Sequence, residues 1–382
     1  MSIYLMILGI CLFIMGMIAL LFGAANLIHF HLVKKRVKPL TDGEKVSVVI
    51  PARNEEANLP QLLESLMHQT YKNYEVVVID DASTDRTWEI IESYMKKDSR
   101  IHGYKTDPNR RLAKSGKINA LLQAIEHATG DYLYCTDADT IHGPDAISFG
   151  YAIMKKKDLD IISGFPTEKC KSFIGSISMS SMLLSFIYVP HFMARFHNCP
   201  LFTVAIGQFI MMKKSSYDEI GGYTAVGAMT CDDMAIAKHF VRCGKKYSLV
   251  PISKHVTCNM YTARKDAFYG IARSIGALIT TQWYVLILIA FILLAFLQIV
   301  LAPIMILIPA LWHINMTAML MMTIGIVVLN VVWGLCALEM GFPLKVACSC
   351  IAAFWQIGHM YLYGLILKIR GKKFIWKGRA VD

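Results

Sequence analysis

The chain has 382 residues, of which 55% are hydrophobic and 18% are charged, and its formal net charge is +11. A soluble protein of this length usually carries about 25% charged residues, so the composition argues against a wholly soluble chain. The hydrophobic excess is concentrated at the two ends, whereas the middle has the composition of an ordinary globular domain. No basic stripe is interleaved with stacking aromatic residues, which argues against nucleic-acid binding. The basic clusters at residues 29–38 and 368–379 each adjoin an apolar run, as expected on the cytoplasmic side of a membrane.

The ten cysteines show no CxxC pair and no spacing typical of metal ligands. Several of them lie inside apolar runs. This pattern predicts reduced, buried thiols rather than a disulfide framework.

An apolar run near the start, residues 3–28, contains no Lys, Arg, Asp or Glu and is followed by Lys34, Lys35 and Arg36. A helix of this length spans about 30 Å of hydrocarbon. A signal peptide is the alternative, but its charges normally precede a shorter apolar core. We therefore expect a transmembrane anchor over residues 1–32 that starts outside and ends inside.

The middle of the chain alternates short β-branched runs with helical stretches. Strands are predicted at 46–50, 75–79 and 131–135, and helices at 58–69, 84–97 and 117–129. Such alternation predicts an α/β domain with a mostly parallel sheet covered on both faces. Ligands of these sheets bind beyond the carboxyl ends of the strands.

The remaining apolar zones predict a helix at 173–193 and spans at 283–311, 316–338 and 344–367. The first is rich in Ser and Met and is interrupted by Pro190, which favours an interfacial or core helix over a span. We expect a catalytic domain at 40–258, an amphipathic interfacial segment at 259–282, transmembrane helices at 283–369 and a basic tail at 370–382. Three spans after a cytoplasmic domain place this tail outside, yet the positive-inside rule places it inside. Either one segment is re-entrant or the tail breaks the rule, and the sequence leaves both open.

Two acidic sites directly follow predicted strands. A carboxylate of Asp80 or Asp81, after strand 75–79, can accept hydrogen bonds from a uracil or a ribose. A helix N-cap is the alternative, although Ser83 or Thr84 could fill that role. Asp137 and Asp139, after strand 131–135, present two hard oxygen ligands that suit Mg²⁺ or Mn²⁺ on a diphosphate.

A third acidic pair, Asp232 and Asp233, precedes a predicted helix that begins near residue 234. Helix capping and dipole complementarity explain one acid but leave the second without a role. A general base that deprotonates an attacking hydroxyl would supply that role. The three acidic sites together indicate a metal-dependent enzyme that uses a nucleotide sugar.

Several stretches resemble the membrane-bound family 2 glycosyltransferases, whose catalytic domain has the GT-A fold. The matching stretches, within residues 46–275, are VSVVIPARNEE (46–56), VIDDASTD (78–85), SGKINAL (115–121), TDAD (136–139), GQF (207–209), GGY (221–223) and CDD (231–233). The resemblance therefore implies an α/β GT-A catalytic domain with N- and C-terminal transmembrane helices.

The resemblance also implies a role for each matching residue. The donor nucleotide site would be lined by Pro51, Ala52, Asn54, Glu55, Asp80 and Lys117. Asp137 and Asp139 would lie at the sugar-phosphate and the metal, and Asp233 would be the base. Asp232 stands where the family usually has Glu, which leaves the choice between the two acids open. The acceptor side would include Gly207, Gln208 and Phe209.

The chain departs from the family in the segment 268–274. Many members carry Gln-x-x-Arg-Trp on an interfacial helix, whereas this chain has Gly270, Arg273 and Ser274 at the corresponding positions. Arg273 can still pair with a diphosphate as a bidentate donor. The missing Trp argues against polymer synthesis, and the variant is more similar to lipid, ceramide and carotenoid glycosyltransferases.

These observations predict an inverting hexosyltransferase of the cell membrane with a cytoplasmic catalytic domain. It would move glucose or an N-acetylhexosamine from a UDP-sugar to a lipid acceptor, with no nucleic-acid partner. A processive polysaccharide synthase is the first alternative, but it needs a translocation pore, normally lined by more than four spans. A transporter or receptor with a nucleotide-binding domain is the second. It should carry charges inside its spans, and the only one near a span interior is Glu339.

Overall fold

The computed structural model describes residues 1–113, 115–194, 199–226, 232–261, 263–278, 283–371, 374–376 and 379–381. The side chains of 274–291 and of 372–382 lie outside this description. Contacts divide the chain into two units. The helical unit comprises Met1–Leu27, Glu168–Pro190 and Tyr261–Asp382, and the sheet unit comprises Ile28–Thr167 and His191–Met260.

The sheet unit is built on a seven-stranded sheet with the strand order β3-β2-β1-β4-β8-β6-β9. A smaller sheet has the order β5-β10-β7. The strands are β1 (Val46–Ala52), β2 (Tyr74–Asp80), β3 (Ile101–Lys105), β4 (Tyr132–Cys135), β5 (Thr140–His142), β6 (Ile161–Gly164), β7 (Thr167–Glu168), β8 (Ile210–Lys213), β9 (Tyr247–Val250) and β10 (Val256–Cys258).

The sheet is mixed, since β8 runs antiparallel to both of its neighbours while the other pairs are parallel. All seven residues of β2 are buried, which is typical of a parallel strand covered on both faces. The helices of this unit are Leu59–Met67, Thr87–Lys97, Gly116–Glu126, Ala146–Lys157, Lys214–Glu219, Gly222–Val226 and Asp232–Arg242, with 3₁₀ turns at His191–Met193 and Pro200–Phe202.

The predicted α/β fold class is confirmed, and each of the three predicted strands and helices of the first half lies within a few residues of its observed position. The strand β8 was not predicted. Its sequence, IMMK, lacks the β-branched run and the polar alternation on which strand prediction depends. It is a central strand of the sheet because it pairs on both edges, with β4 and β6.

Among the residues that the structure describes, three helices are long and apolar enough to cross a membrane, namely Ser2–Arg36, Met316–Glu339 and Cys350–Ile369. Residues 28–36, at the basic end of the first helix, belong to the sheet unit. The other helices of the helical unit are Phe173–Met179, Ser180–Met182 (3₁₀), Leu183–Tyr188, Arg264–Leu278, Trp283–Ile306, Pro309–Ile314 and Leu344–Ala347. A two-stranded hairpin, Phe374–Trp376 with Arg379–Val381, lies near the end of the chain.

Two of the long helices meet along a glycine seam, which comprises Gly9, Gly16 and Gly23 on the first helix and Ala318, Gly325 and Val332 on the helix Met316–Glu339. A Cβ atom added to Gly16 would lie 2.6 Å from the carbonyl oxygen of Gly325. Both sets of residues recur every seven positions and ascend together, so these two helices run parallel. The amide of Asn315 donates to the Ser2 hydroxyl at 3.0 Å, which fixes the same register at one end. Close backbone approach at small residues is a common way to pair apolar helices.

The structure differs from two of the predicted spans. The segment 283–311 is helical only to Ile306, and a second helix starts at Pro309. Ile308 is extended because a residue before proline disfavours the helical conformation. The segment 344–367 is also divided, into Leu344–Ala347 and Cys350–Ile369, and the Ser349 hydroxyl donates to the Lys345 carbonyl at the break. The helical segment at 173–193 ends at Tyr188, just before Pro190.

Candidate active site

Charged side chains of the sheet unit meet in one cleft beyond the carboxyl ends of β1 and β4. These two strands are parallel neighbours, with Val49 opposite Cys135, so the residues that follow them share an edge of the sheet. Lys117 comes from the first turn of Gly116–Glu126, and Asp232 and Asp233 come from the first turn of Asp232–Arg242. The cleft is lined by Pro51, Lys117, Leu121, Cys135, Thr136, Asp137, Gly207, Ile210, Tyr223, Asp232 and Asp233.

Lys117 is the cation at the centre of this cleft. Its Nζ lies 2.7 Å from Asp137 Oδ1 and 3.9 Å from Asp232 Oδ2. Loss of hydration is the largest single influence and favours the neutral amine, but the attraction of Asp137, Asp232 and Asp233 outweighs it, and the pKa of Lys117 is raised. The side chain keeps 42% of its surface accessible within the cleft. Lys117 therefore remains charged and can exchange its carboxylate partner for another anion.

Asp233 is held by two backbone amides. Gly207 N–H donates to its Oδ2 at 3.0 Å, and Met234 N–H donates to its Oδ1 at 2.7 Å. Burial and then the neighbouring charge of Asp232 raise the pKa of Asp233 well above its usual range, although Lys117 opposes this shift. A carboxylate with a raised pKa binds a proton more strongly than an ordinary one, as a general base requires near neutral pH.

Gly207 lies between the charged groups. A Cβ atom added at this position would be 3.4 Å from Asp137 Oδ2, 3.4 Å from Lys117 Nζ and 3.7 Å from Asp233 Oδ2. These are ordinary contact distances, so an alanine fits without displacing the backbone. The absence of a side chain thus leaves space among three charged groups.

The two acids predicted to hold a metal, Asp137 and Asp139, lie on the loop between β4 and β5. No group of three His, Cys, Asp or Glu side chains able to hold a metal occurs among the described residues. If Asp137 and Asp139 bound a metal, they would supply two hard oxygen donors, and waters or substrate phosphates would fill the other coordination positions. This donor set fits Mg²⁺, which keeps several waters and binds substrate phosphates beside one or two carboxylates, and equally fits Mn²⁺.

The residues predicted for the nucleotide lie in the loops after β1 and β2, and these loops are tied together. Asn54 has a left-handed backbone with φ of 52°, its N–H donates to the Ser83 hydroxyl at 3.0 Å, and its Oδ1 accepts from Thr84 N–H at 2.8 Å. Asp80 is buried, and its Oδ1 accepts from Ser83 N–H at 3.2 Å. These two side chains shape the loop pair, and their contacts to a nucleotide stay predictions.

The other predicted donor residues are placed differently. Pro51 lines the cleft and Ala52 ends β1. Glu55 accepts from the Asn58 side-chain amide at 2.8 Å. Arg273 lies on Arg264–Leu278 in the helical unit, and its pairing with a diphosphate stays a prediction.

On the predicted acceptor side, only Gly207 lines the cleft. The side chains of Gln208 and Phe209 are buried, and Phe209 packs against Tyr134 with ring centroids 5.0 Å apart. Both are therefore parts of the core that supports the cleft, and a direct contact with an acceptor stays a prediction. Cys231 and Gly227 lie outside the described residues.

Sequence reasoning missed the buried polar residues beneath the loop that carries Asp137 and Asp139, namely Tyr134, Thr136, Thr140 and His142. The ring nitrogens of His142 lie 2.8–3.2 Å from the hydroxyl oxygens of the other three. A signal was available, because two threonines flank Asp137 and Asp139 and a histidine follows two residues after Thr140. Nothing in the sequence alone indicated that their side chains converge.

Part of the chain is similar to known glycosyltransferases. Residues 47–221 match the profile of Glycosyl transferase family 2. A glycosyltransferase GlyG of Streptococcus pneumoniae is 32% identical over 121 residues, which cover 32% of this chain and 38% of that protein. A dolichol-phosphate mannosyltransferase of Pyrococcus furiosus is 32% identical over 152 residues, which cover 38% of this chain and 42% of that protein. The chain thus spans less than half the length of these two relatives.

A solved structure is similar over almost the whole chain. The mannosyltransferase PcManGT from Pyrobaculum calidifontis, in complex with GDP-Man and Mn²⁺, superposes with a TM-score of 0.52 and 18% identity. The match covers 94% of this chain and 98% of that one. At this identity the likeness shows the fold alone, an α/β GT-A domain with additional apolar helices.

Proposed function

We propose that this chain, whose residues 47–221 match Glycosyl transferase family 2, moves a hexose from a UDP-sugar to a hydroxyl group of a membrane lipid. The sugar would be glucose or an N-acetylhexosamine, and the reaction would occur at the cytoplasmic face of the cell membrane. The observation that carries this proposal is the convergence of Lys117, Asp137, Asp232 and Asp233 in one cleft. A cation between acids, next to a carboxylate of raised pKa, suits transfer from a diphosphate to a hydroxyl.

In the proposed reaction, Asp233 accepts the proton of the acceptor hydroxyl. The hydroxyl oxygen forms a bond to the anomeric carbon, and the bond from that carbon to the diphosphate oxygen breaks with its electron pair remaining on UDP. A direct displacement of this kind inverts the anomeric configuration. The two backbone amides on Asp233 would orient the carboxylate toward the acceptor, and Asp232 would keep the pKa of Asp233 high.

Lys117 and the metal loop would serve the leaving group. Lys117 would exchange Asp137 for a diphosphate oxygen, since it is charged and accessible within the cleft. Asp137 and Asp139 would hold a divalent cation, Mg²⁺ or Mn²⁺. When bound, such a cation neutralises charge on the leaving diphosphate. The similar mannosyltransferase structure, which contains Mn²⁺ beside GDP-Man, supports a metal of this class.

The helical unit supports a lipid acceptor. Three helices in the described part of the chain are long and apolar enough to cross a membrane, which suits an acceptor that arrives from the bilayer. One relative is named for transfer to dolichol phosphate, which is a lipid. A lipid acceptor predicts a product that carries one sugar or very few.

A feature of the interfacial helix Arg264–Leu278 argues against a processive synthase. At Gly270, where the related motif carries Gln, a Cβ atom would lie 2.2 Å from the Tyr261 hydroxyl oxygen and 2.4 Å from its Cζ. Tyr261 is buried and occupies the space that a longer side chain would need. The glutamine of the synthase motif therefore cannot be accommodated here without moving Tyr261.

The test is incubation of the purified full chain with a panel of UDP-sugars, with GDP-mannose for comparison, Mn²⁺ and a membrane lipid extract. Products are identified by mass spectrometry. We expect one UDP-sugar to give a glycolipid that is one hexose heavier than its acceptor. Transfer from GDP-mannose alone would contradict the donor, and a soluble product from every active donor would contradict the lipid acceptor.

A further inference from the structure

A buried polar network lies directly beneath the loop that carries Asp137 and Asp139. His142 is its centre, with Nδ1 2.8 Å from the Tyr134 hydroxyl and Nε2 3.0 Å and 3.2 Å from the hydroxyls of Thr140 and Thr136. All four side chains are at most 3% exposed. Buried polar groups need hydrogen-bond partners, so this arrangement is costly unless every proton is used.

The protons of this network can be assigned one by one. The Thr140 hydroxyl donates to the Asp137 carbonyl at 2.8 Å, and the Thr136 hydroxyl donates to the Gln208 carbonyl at 2.8 Å. Both hydroxyl protons are thus used, so the ring nitrogen that faces them must be the donor. A neutral imidazole has only one N–H, which places it on Nε2. Nδ1 is then the acceptor of the Tyr134 hydroxyl, and every proton has a partner.

The network keeps this pattern of protons across the physiological pH range. Burial lowers the pKa of His142 to about 3 and raises the pKa of Tyr134 well above its usual value. The imidazole is therefore neutral and the phenol protonated at any pH at which the enzyme would work. A group that does not titrate holds atoms in place rather than transferring protons.

The network is hydrogen-bonded to two backbone segments that border the cleft. Its bond to the Asp137 carbonyl fixes the backbone of the metal loop, and its bond to the Gln208 carbonyl fixes the segment whose Gly207 N–H donates to Asp233. A second link runs through side chains: the Gln208 amide donates to Cys258 Sγ at 3.3 Å, and the Cys258 thiol donates to Asp139 Oδ1 at 3.7 Å. The metal loop and the base thus share one buried support.

We propose that His142 is a positioning residue that sets the spacing of Asp137 and Asp139 for a divalent cation and couples this loop to the segment that orients Asp233. The inference rests on the proposed function for the identity of the loop as a metal site. Hydrogen bonds of this kind behind metal ligands typically change metal affinity or activity 10- to 100-fold. Their loss should therefore appear in metal binding itself, not only in turnover.

The experiment titrates Mn²⁺ alone into the detergent-solubilised full chain, followed by water-proton relaxation, and then repeats the titration with UDP. His142→Phe keeps a ring but removes both ring nitrogens, and we expect it to weaken Mn²⁺ binding by about 10- to 100-fold. Tyr134→Phe removes one hydroxyl and should weaken binding less, in the same direction. Tyr134→Phe also provides the test if His142→Phe does not fold. His142→Gln retains an amide donor toward the threonines and should recover most of the affinity.

The matched control is His255→Phe. Like His142, His255 packs against an aromatic ring, with centroids 4.1 Å from Phe149, but its Nδ1 pairs with Asp145 Oδ1 at 2.8 Å rather than with the loop. It should leave Mn²⁺ binding unchanged. A lower melting temperature with unchanged Mn²⁺ binding in His142→Phe and Tyr134→Phe would overturn the inference. Wild-type protein that binds Mn²⁺ but no UDP would contradict the proposed donor only, and wild-type protein that binds no Mn²⁺ with or without UDP would overturn the inference.

Discussion

In the sheet unit, charged side chains converge on a cleft, whereas in the helical unit two helices pack closely against each other at glycine residues. Lys117 lies 2.7 Å from Asp137 beside a carboxylate whose pKa is raised by burial. In the glycine seam, by contrast, backbone meets backbone, and a Cβ atom at Gly325 would lie 2.4 Å from the Leu12 carbonyl oxygen. The first arrangement suits the stabilisation of charge that would change during a reaction, and the second allows the close backbone approach by which apolar helices often pair.

Substitutions in the cleft and in the glycine seam should therefore affect different properties of the protein. A change of charge in the cleft should alter the reaction and leave the fold intact, because the acids are supported by backbone amides and a buried network. A change of size in the seam should alter stability and leave the chemistry intact. Five predictions separate these two effects.

The largest effect should come from removing the metal. If Asp137 and Asp139 hold a divalent cation, excess EDTA should abolish transfer, and Mn²⁺ or Mg²⁺ should restore it. Asp139→Ala should weaken UDP binding only when metal is present, because the substitution removes a ligand and not a nucleotide contact. Calorimetric titration of UDP with and without Mn²⁺ measures this. Full activity in EDTA would show that the metal assignment is wrong.

Asp233→Asn should reduce turnover by about 10²–10⁴-fold, the typical contribution of a general base, while UDP affinity remains unchanged. Asp232→Asn is the comparison variant, because it keeps the carboxylate of Asp233 but removes a charge that raises its pKa, and we expect it to lose less turnover. Steady-state rates and UDP binding are measured for both variants. A severe loss of turnover in Asp232→Asn with a mild loss in Asp233→Asn would mean that Asp232, and not Asp233, is the base.

The wild-type pH profile gives an independent check on the same residue. A base must be deprotonated, and a raised pKa means that Asp233 becomes protonated nearer to neutral pH than an ordinary aspartate. The value of kcat/KM should therefore fall as the pH decreases below neutral, and this acidic limb should be missing in Asp233→Asn. An acidic limb that persists unchanged in the variant would belong to another group.

Gly207→Ala should reduce turnover by about 10- to 100-fold without unfolding the protein, because the methyl group enters the space among three charged groups and displaces the reactants. Gly334→Ala is the steric control, since its Cβ atom would also meet its nearest neighbour, the Ala347 carbonyl oxygen, at 3.4 Å, but in the helical unit. Turnover and melting temperature are measured for both. Equal turnover of the two variants would contradict the role of Gly207.

Gly16→Leu should have the smallest effect on chemistry and a clear effect on stability. The side chain cannot fit 2.6 Å from the Gly325 carbonyl, and overpacking typically costs about 1–3 kcal/mol. Ile14→Leu, at a half-exposed position on the same helix, is the matched control. Thermal unfolding in detergent should distinguish the two, with kcat at low temperature unchanged. Equal stability of both variants would mean that the seam does not hold the helices together.

Much of the fold was predictable because its signals are local. The run Val46–Ala52 is mostly β-branched and apolar, and an acid follows β2 and β4 within two residues of the end of each strand. The antiparallel strand Ile210–Lys213 was not predictable, since its place depends on pairing with two distant strands. The glycine seam was not predictable for the same reason. Gly9 and Ala318 are more than 300 residues apart, and neither segment by itself shows which other helix it packs against.

For the site, the sequence identified the charged residues but not their partners. Lys117, Asp137, Asp232 and Asp233 were each predicted, and the structure brings all four to one cleft. Gln208 and Phe209 were predicted on the acceptor side, but their side chains are buried. His142 was missed because a buried histidine acquires its role from the hydroxyl and carbonyl groups that fold around it.

The proposed transfer to a lipid is tested most directly by following the label of a radioactive UDP-sugar. The sugar is incubated with the full chain, Mn²⁺ and lipid vesicles. We predict one labelled product that partitions into organic solvent, carries one sugar or very few, and has a β linkage formed from the α donor. The β linkage is required because a single base at Asp233 implies direct displacement. A water-soluble ladder of long oligosaccharides, or an α-linked product, would contradict this account.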